Sequence, residues 1–393
     1  MRRYSMLDLL RALAATLVLL THVAFWTGAD HLDVSGPLLA RGDAGVAVFF
    51  AISAFLLLRP FLRAGLAGRP RPDLRRYAVR RAARILPAYW VALAAVLAVA
   101  ALAPVRTGGV GSPVDIALHV VVLQGYSGHS YQSFSQTWSL TTEVTFYVLV
   151  PVIGTALGRL AQRPRRVWPV LGGALLLGLV AQGASAAWTG VDPHSGAGVL
   201  ATSVLGHAGW FAAGAALAVL SETGSIAVST TAGRWLDFAR TNPGVVVLGA
   251  ALLYLLAATP LAGPVDLQSP TPAQAVVKEL LYTAIAGLLV LAATSPVRGA
   301  VARAAAGSPA ARWLGDASYP VFLWHVLALQ VVYLVTSRGL FTGAFTTTLV
   351  AVTALSVVVA RMSVSLVERP VLARAHQRTR SAAAEDTVPA GTR

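Results

Sequence analysis

Long runs of hydrophobic residues, separated by short polar stretches, recur from one end of the chain to the other. A helix needs roughly 20 predominantly apolar residues to cross a membrane. Ten segments satisfy that requirement, at 7–27, 44–63, 85–104, 140–159, 168–189, 199–221, 243–262, 275–296, 318–336 and 343–367. The pattern predicts an all-α integral membrane protein of about ten transmembrane helices.

The remaining segments are short or polar. The apolar stretch 114–124 is too short to span and falls in a long loop, 105–139, so we expect a re-entrant or interfacial piece there. The last residues, 376–393, have a composition typical of disorder. The chain therefore divides into one membrane domain, 1–375, and a disordered cytoplasmic tail, 376–393.

Composition and charge agree with this interpretation. Hydrophobic residues make up 56% of the chain and charged residues only 12%, about half the charged fraction of a soluble domain. The net charge of +15 comes from arginines that crowd into alternate loops, as the positive-inside rule requires. The charge thus indicates orientation and contact with membrane lipids, not nucleic-acid binding. Both termini are predicted to be cytoplasmic. Thirty arginines against one lysine, with abundant Ala and Gly, indicate a bacterial genome of high GC content, so the expected location is a bacterial inner membrane.

Predicted helix 1 contains three ionisable residues, Asp8, Arg11 and His22. Arg11 and His22 are eleven residues apart, which places them on one helix face and separates them by roughly 16 Å along the axis. Asp8 lies one turn from Arg11 and can pair with it. Ionisable residues inside a membrane usually face a cavity or one another. The structural alternatives are an interfacial anchor for Arg11 and a helix–helix hydrogen bond for His22.

Predicted helix 4 contains a second polar stripe. Ser139, Glu143 and Tyr147 recur every fourth residue and share one face, just after Trp138. Because helix 4 runs opposite to helix 1, Glu143 reaches a depth similar to that of His22. The two are a candidate catalytic pair, in which Glu143 accepts from the imidazole. The alternative is a structural glutamate satisfied by hydroxyl groups on neighbouring helices.

Four further polar or charged residues lie in or beside predicted spans. Arg81 and Arg84 project from one face at the cytoplasmic start of helix 3. Paired guanidinium groups suit a phosphate-bearing ligand, although lipid headgroups would also explain them. His325 lies near the centre of helix 9, where packing or a hydrogen bond to a carbonyl is the alternative to a functional role. Ser53 in helix 2 is interpreted as a packing residue because no base lies at helical spacing from it.

Several segments resemble, in the same order, the signature segments of one protein family. They are 7–11 with His22, 45–56, 81–87, 138–147, 314–325 and 368–370. Together they resemble the acyltransferase-3 family of bacterial membrane O-acyltransferases, over roughly residues 4–372. Two positions depart from its usual pattern: Ala54 replaces a glycine after Ser53, and Ala47 stands where an acidic residue is common.

The resemblance implies an acyl-CoA donor and a hydroxylated acceptor, which would be a sugar, a polysaccharide or a glycosylated metabolite. It implies no permanently bound cofactor, and no metal-ligand spacing is present. Arg11, Arg81 and Arg84 would hold the donor, and His22 with Glu143 would do the chemistry. Further candidates are Asp8, Trp138, Ser139, Tyr147, Tyr319 and His325. With no cysteine in the chain, an S-acyl intermediate is excluded. The alternative function is a transporter or lipid-linked sugar flippase.

Overall fold

The computed structural model describes residues 4–127, 130–192, 196–224, 230–265, 268–297, 300–375 and 377, and over these ranges it contains helices and no strand. The principal helices are α1 (Ser5–Thr27), α2 (Ala44–Leu66), α3 (Leu74–Leu102), α4 (Trp138–Leu160), α5 (Val167–Val191), α6 (Ala208–Thr223), α7 (Pro243–Ala257), α8 (Pro272–Thr294), α9 (Pro309–Val335) and α10 (Phe345–Ser363). Each overlaps one predicted span. Residues 376–393, predicted to be a disordered tail, lie outside the described residues except for residue 377.

The predicted multi-pass membrane architecture is confirmed. Among the described residues, eight helices are long and apolar enough to cross a membrane. A ninth candidate is the pair Thr231–Thr241 and Pro243–Ala257, which is bent by 100° at its break. Helix α6 is shorter, with 16 residues. The count is therefore close to the ten that hydropathy predicts.

Two helices begin well before their predicted starts. Helix α3 begins at Leu74 instead of residue 85, and the side chain of Asp73 caps it by accepting from the amide of Arg76. Helix α9 begins at Pro309 instead of residue 318, capped by Ser308. Hydropathy marks where a helix enters the apolar layer, whereas the capping residues mark where the helix itself begins.

The prediction of one continuous helix over 199–221 was wrong. The chain forms a short helix, Ala197–Thr202, and then turns before α6 begins. Gly206 lies in this turn, where a Cβ atom would be 2.3 Å from the carbonyl oxygen of Ala201. The side-chain amide of Gln182 donates to the carbonyls of both Ala201 and Gly206, at 2.8 and 3.1 Å. These bonds satisfy backbone groups that the break leaves unpaired.

The apolar stretch predicted at 114–124 forms an eight-residue helix, Pro113–Val120, which is too short to span. Ser112 and Asp115 form a capping box at its start. Its end is held by Tyr89 of α3, whose hydroxyl donates to the carbonyl of His119 at 2.8 Å. Burial lowers the pKa of His119 below its ordinary value, so this side chain is neutral at pH 7.

Helix α2 lies at the centre of the bundle and packs against α1, α4, α6 and α8. Small residues permit the close contacts that membrane helices need. A Cβ atom at Gly214 of α6 would lie 2.1 Å from the carbonyl oxygen of Ala51 of α2. Helix α1 packs most extensively on α9, where Gly315 closely faces Asp8. The polar face of α1 is thereby directed into the bundle.

Candidate active site inside the helix bundle

His22 of α1 lies against His325 of α9. The Nδ1 atom of His22 is 2.8 Å from the carbonyl oxygen of Val18, and the Nδ1 atom of His325 is 2.7 Å from that of Phe322. A ring nitrogen beside a carbonyl carries the proton. The Nε2 atom of His325, which is then unprotonated, lies 3.3 Å from Nδ1 of His22. His325 therefore acts as a second acceptor for the Nδ1 proton of His22.

This arrangement determines the tautomer of His22. With its proton on Nδ1, the Nε2 atom is left with a lone pair and can accept a proton. Within the described part of the chain, every hydrogen bond of His22 uses Nδ1. His325 is fully buried, whereas His22 is only partly buried. The pair thus consists of a buried orienting histidine and a more accessible histidine that presents a basic nitrogen.

Glu143 has different partners from those we predict. Its Oε1 atom accepts from the hydroxyl of Ser53 at 2.5 Å and from that of Tyr147 at 2.6 Å. The predicted hydrogen bond between Glu143 and His22 is not found among the described residues. The reason is helix packing: α4, which carries Glu143, packs on α2, whereas α1 packs on α9. Matched depth along two helices does not make those helices neighbours.

The contact with Ser53 is one that the sequence analysis missed. Ser53 does have a carboxylate beside it, but that carboxylate comes from another helix and not from its own. The alternative considered for Glu143 was a structural glutamate whose hydrogen bonds come from hydroxyl groups, and the two hydroxyl donors agree with it. Glu143 is therefore a satisfied carboxylate in the polar interior, and any effect it has on His22 is indirect.

The three candidate donor-binding arginines lie around this carboxylate. Arg11 is paired with Asp8, with 3.1 Å between Nη1 and Oδ1. It also lies near enough to Arg84, Tyr147 and Glu143 to interact with them electrostatically. Two guanidinium groups from different helices, α1 and α3, therefore lie within electrostatic range of each other. Guanidinium groups gathered in this way are suited to bind a phosphate-bearing group.

Arg81 and Arg84 differ in how fully they are engaged. The guanidinium of Arg81 lies 6.0 Å from the ring centre of Tyr147, and its buried Nε atom has no hydrogen-bond acceptor among the described residues. The guanidinium of Arg84 lies 4.0 Å from the carboxylate of Glu368. Arg81 is therefore the more available of the two for a ligand anion.

The remaining candidates make structural contacts. Ser139 donates to the carbonyl of Gln136 at 2.9 Å in the turn that precedes α4. Tyr319 donates to the carbonyl of Ile85 at 3.1 Å and so ties α9 to α3. The ring of Trp138 lies 5.5 Å from that of His207.

The sequence analysis missed two polar side-chain pairs in the bundle, one partly exposed and one buried. The ammonium of Lys278 lies 2.7 Å from Oδ2 of Asp43, and Tyr282 also donates to this carboxylate. Nearby, Nδ1 of His207 lies 3.1 Å from Oε2 of Glu279. The signal was present, because the apolar run 275–296 contains two adjacent charged residues, and charges inside a span require partners.

The fold and site define a multi-pass helical membrane protein with a histidine pair and an arginine cluster in its interior. Residues 4–361 match the acyltransferase-3 family, described as an acyltransferase domain. The match covers nearly the whole chain, so the chain belongs to this family. The resemblance inferred from the signature segments is thereby confirmed.

A curated relative is Nodulation protein 10 from Rhizobium leguminosarum bv. viciae, which is 29% identical over 174 residues. The matched region covers 37% of this chain and 43% of the relative. The chain thus matches less than half of that protein's length. No solved structure matches the chain.

Proposed function

We propose that this protein transfers an acyl group, with acetyl the expected one, from acyl-CoA to a hydroxyl group of a carbohydrate or glycosylated metabolite. His22 is the general base. The observation that carries the proposal is the pair of contacts at Nδ1 of His22, to Val18 and His325. They leave Nε2 unprotonated on a partly buried ring, which is the state that a base requires.

The donor is assigned to the arginine cluster. Arg11 and Arg84 lie within electrostatic range of each other, and Arg81 has a buried Nε atom with no acceptor in the described part of the bundle. Guanidinium groups bind phosphates by charge-assisted hydrogen bonds, and acyl-CoA carries three phosphates. Arg11 and His22 are separated by roughly 16 Å along α1, a distance that an extended pantetheine arm can span.

The transfer then proceeds in one displacement. Nε2 of His22 removes the proton of the acceptor hydroxyl as its oxygen attacks the thioester carbonyl. The C–S bond breaks, and the sulfur of CoA leaves with the electron pair and receives the proton from the imidazolium. The carbonyl of Val18 and the Nε2 atom of His325 accept from the Nδ1 side throughout, which favours the charged ring. Because the chain has no cysteine, no enzyme thiolate takes part.

Glu143 is assigned a positioning role. Its carboxylate holds Ser53 and Tyr147 and lies within electrostatic range of Arg11. It therefore stabilises the helix arrangement and the charge of the donor site without touching the base. The arginine-rich end of the bundle is taken as cytoplasmic, in the inner membrane of a bacterium, so acyl-CoA enters there and the acceptor approaches from the opposite end.

The test is the transfer of radiolabelled acetyl from acetyl-CoA to envelope material in membranes that contain His22→Ala. We expect a loss of at least about 100-fold, the usual scale of general-base catalysis, with unchanged protein level. His31→Ala is the matched control, because His31 is an exposed histidine outside the site. If His22→Ala transferred acetyl as fast as the wild type, His22 would not be the general base.

A further inference from the structure

A cleft of about 370 Å³ opens between the ends of α2 and α4, at the arginine-rich end of the bundle. Three arginines line it: Arg69, Arg71 and Arg159. Phe61 and Gln162 complete its walls. The volume is in the range of small-molecule sites, and none of these residues takes part in the site described above.

Glycines build the floor of this cleft. Gly65 of α2 lies against Gly158 of α4 so closely that a Cβ atom on Gly65 would be 2.4 Å from the Gly158 backbone. The side-chain amide of Gln162 donates to the carbonyl of Gly65 at 2.9 Å. Gly68 then turns the chain with a φ of +60°, a conformation that glycine adopts without strain. The turn places Arg69 and Arg71 opposite Arg159.

The charge of the cleft is not neutralised by the protein. No acidic residue lines it, and none of its three arginines forms a salt bridge within the ranges that the structure describes. The contrast is with Arg59 and Arg63 of α2, whose Nε atoms lie 2.5 and 2.6 Å from the carboxylate oxygens of Glu222. Three uncompensated guanidinium groups around a cavity are suited to bind phosphate.

The cleft adjoins the proposed donor site through a short series of side chains. The ring of Phe61, in the cleft wall, lies 6.0 Å from the ring of Tyr77. The hydroxyl of Tyr77 donates to the carbonyl of Tyr147 at 3.0 Å. The ring of Tyr147 in turn faces the guanidinium of Arg81. The cleft and Arg81 are therefore separated by only a few contacting side chains at the same end of the bundle.

We propose that this cleft binds the 3′-phosphorylated adenosine end of acyl-CoA. Arg69, Arg71 and Arg159 hold the 3′-phosphate, the pyrophosphate lies towards Arg81 and Arg84, and the pantetheine arm extends into the bundle. The assignment rests on the proposed donor. The cleft would recognise the nucleotide of CoA at the protein surface and so distinguish CoA from thioesters that lack a nucleotide.

The experiment compares CoA with dephospho-CoA, which lacks only the 3′-phosphate, in binding to the purified full-length protein by calorimetry. The wild type should bind CoA at least about tenfold more tightly, as expected for one set of charge-assisted contacts. Arg71→Gln and Arg159→Gln should each weaken CoA binding about tenfold and leave dephospho-CoA binding unchanged. Arg71→Lys, which keeps the charge, should retain part of the preference.

Arg312→Gln is the control, since Arg312 is an exposed arginine at the same end but outside the cleft; it should keep the full preference. Suppose that the wild type binds CoA but the Arg71→Gln and Arg159→Gln variants keep the tenfold preference, or lose affinity for both ligands equally. Either result overturns the cleft assignment alone. A wild type that binds neither ligand overturns the proposed donor as well. Vesicles containing phosphatidylglycerol are a second probe, and variants that change only vesicle binding would assign the cleft to lipid headgroups and overturn the nucleotide assignment.

Discussion

The Nε2 atom of His325 lies 3.3 Å from the Nδ1 atom of His22, and the two rings meet edge to face with their centres 4.9 Å apart. The contact joins the first and ninth principal helices, 303 residues apart in the chain. It accounts for a fully buried histidine in the middle of an apolar helix. Together with the carbonyl of Val18, this contact keeps the proton of His22 on Nδ1, although His325 itself does not act on the substrate.

We expect His325→Leu to lose activity by about 100-fold, because the Nδ1 proton of His22 loses one of its two acceptors and the charged ring formed during transfer is less well stabilised. His325→Gln should stay within about tenfold of the wild type, because its side-chain oxygen can still accept from Nδ1 of His22. Acetyl-transfer rates in membranes measure both. The difference between the two variants is the critical readout, since a purely structural role would make the polar replacement at a buried position no better than leucine.

The second prediction concerns Glu143. Glu143→Gln and His325→Gln should lower the transfer rate by factors that multiply in the double variant, because the two residues have no common hydrogen-bonding partner. A double variant no slower than the worse single variant would show that Glu143 and His325 act through the same group, His22, as the sequence analysis predicts for Glu143.

A stability measurement accompanies this test. Ser53→Ala removes one of the two hydroxyl donors to Glu143 and should destabilise the purified protein by about 1.5–3 kcal/mol, the usual contribution of a hydrogen bond to a charged group. In the Glu143→Gln background the penalty for Ser53→Ala should be smaller, since a hydrogen bond to an uncharged acceptor contributes less than one to a carboxylate. Thermal unfolding in detergent compares the single and double variants. Equal destabilisation by Ser53→Ala in both backgrounds would show that the hydrogen bond contributes little.

The third prediction separates donor binding from chemistry. Arg81→Gln should raise the KM for acetyl-CoA by about tenfold or more, with little change in kcat, through loss of guanidinium–phosphate contacts. Arg84→Gln should have a smaller effect, because Glu368 already engages that side chain. Arg166→Gln, at an exposed position in a neighbouring loop, is the control. A fall in kcat at saturating acetyl-CoA would contradict a binding role.

The fourth prediction concerns orientation in the membrane. The chain has no cysteine, so single cysteines can be introduced without background. Ala67→Cys, in the arginine-rich loop after α2, should be protected from a membrane-impermeant thiol reagent in intact cells, and Ser130→Cys should react. Ala67 is preferable to the adjacent Gly68, whose left-handed backbone disfavours any side chain. Labelling of Ala67→Cys in intact cells would show that this loop lies outside the cell and would contradict the predicted topology.

The sequence by itself determined the class of protein and the residues within each helix that carry chemistry. Hydropathy identifies membrane helices because each span must bury its own backbone polar groups and face lipid. Helical periodicity likewise determines that Arg11 and His22 share a face, since that relationship lies within one helix. The order of short signature segments was sufficient to identify the family.

Only the tertiary structure decided which helices meet. Periodicity gives the depth and face of Glu143 and His22 but not the neighbour that each face contacts. Those neighbours depend on close packing at small residues, such as Gly315 against Asp8, which brings α9 to α1. His22 therefore meets His325, and Glu143 meets Ser53. For the same reason the arginine-lined cleft could not be found from the chain alone, because Arg71 and Arg159 approach only where Gly65 and Gly158 allow two helix backbones to touch.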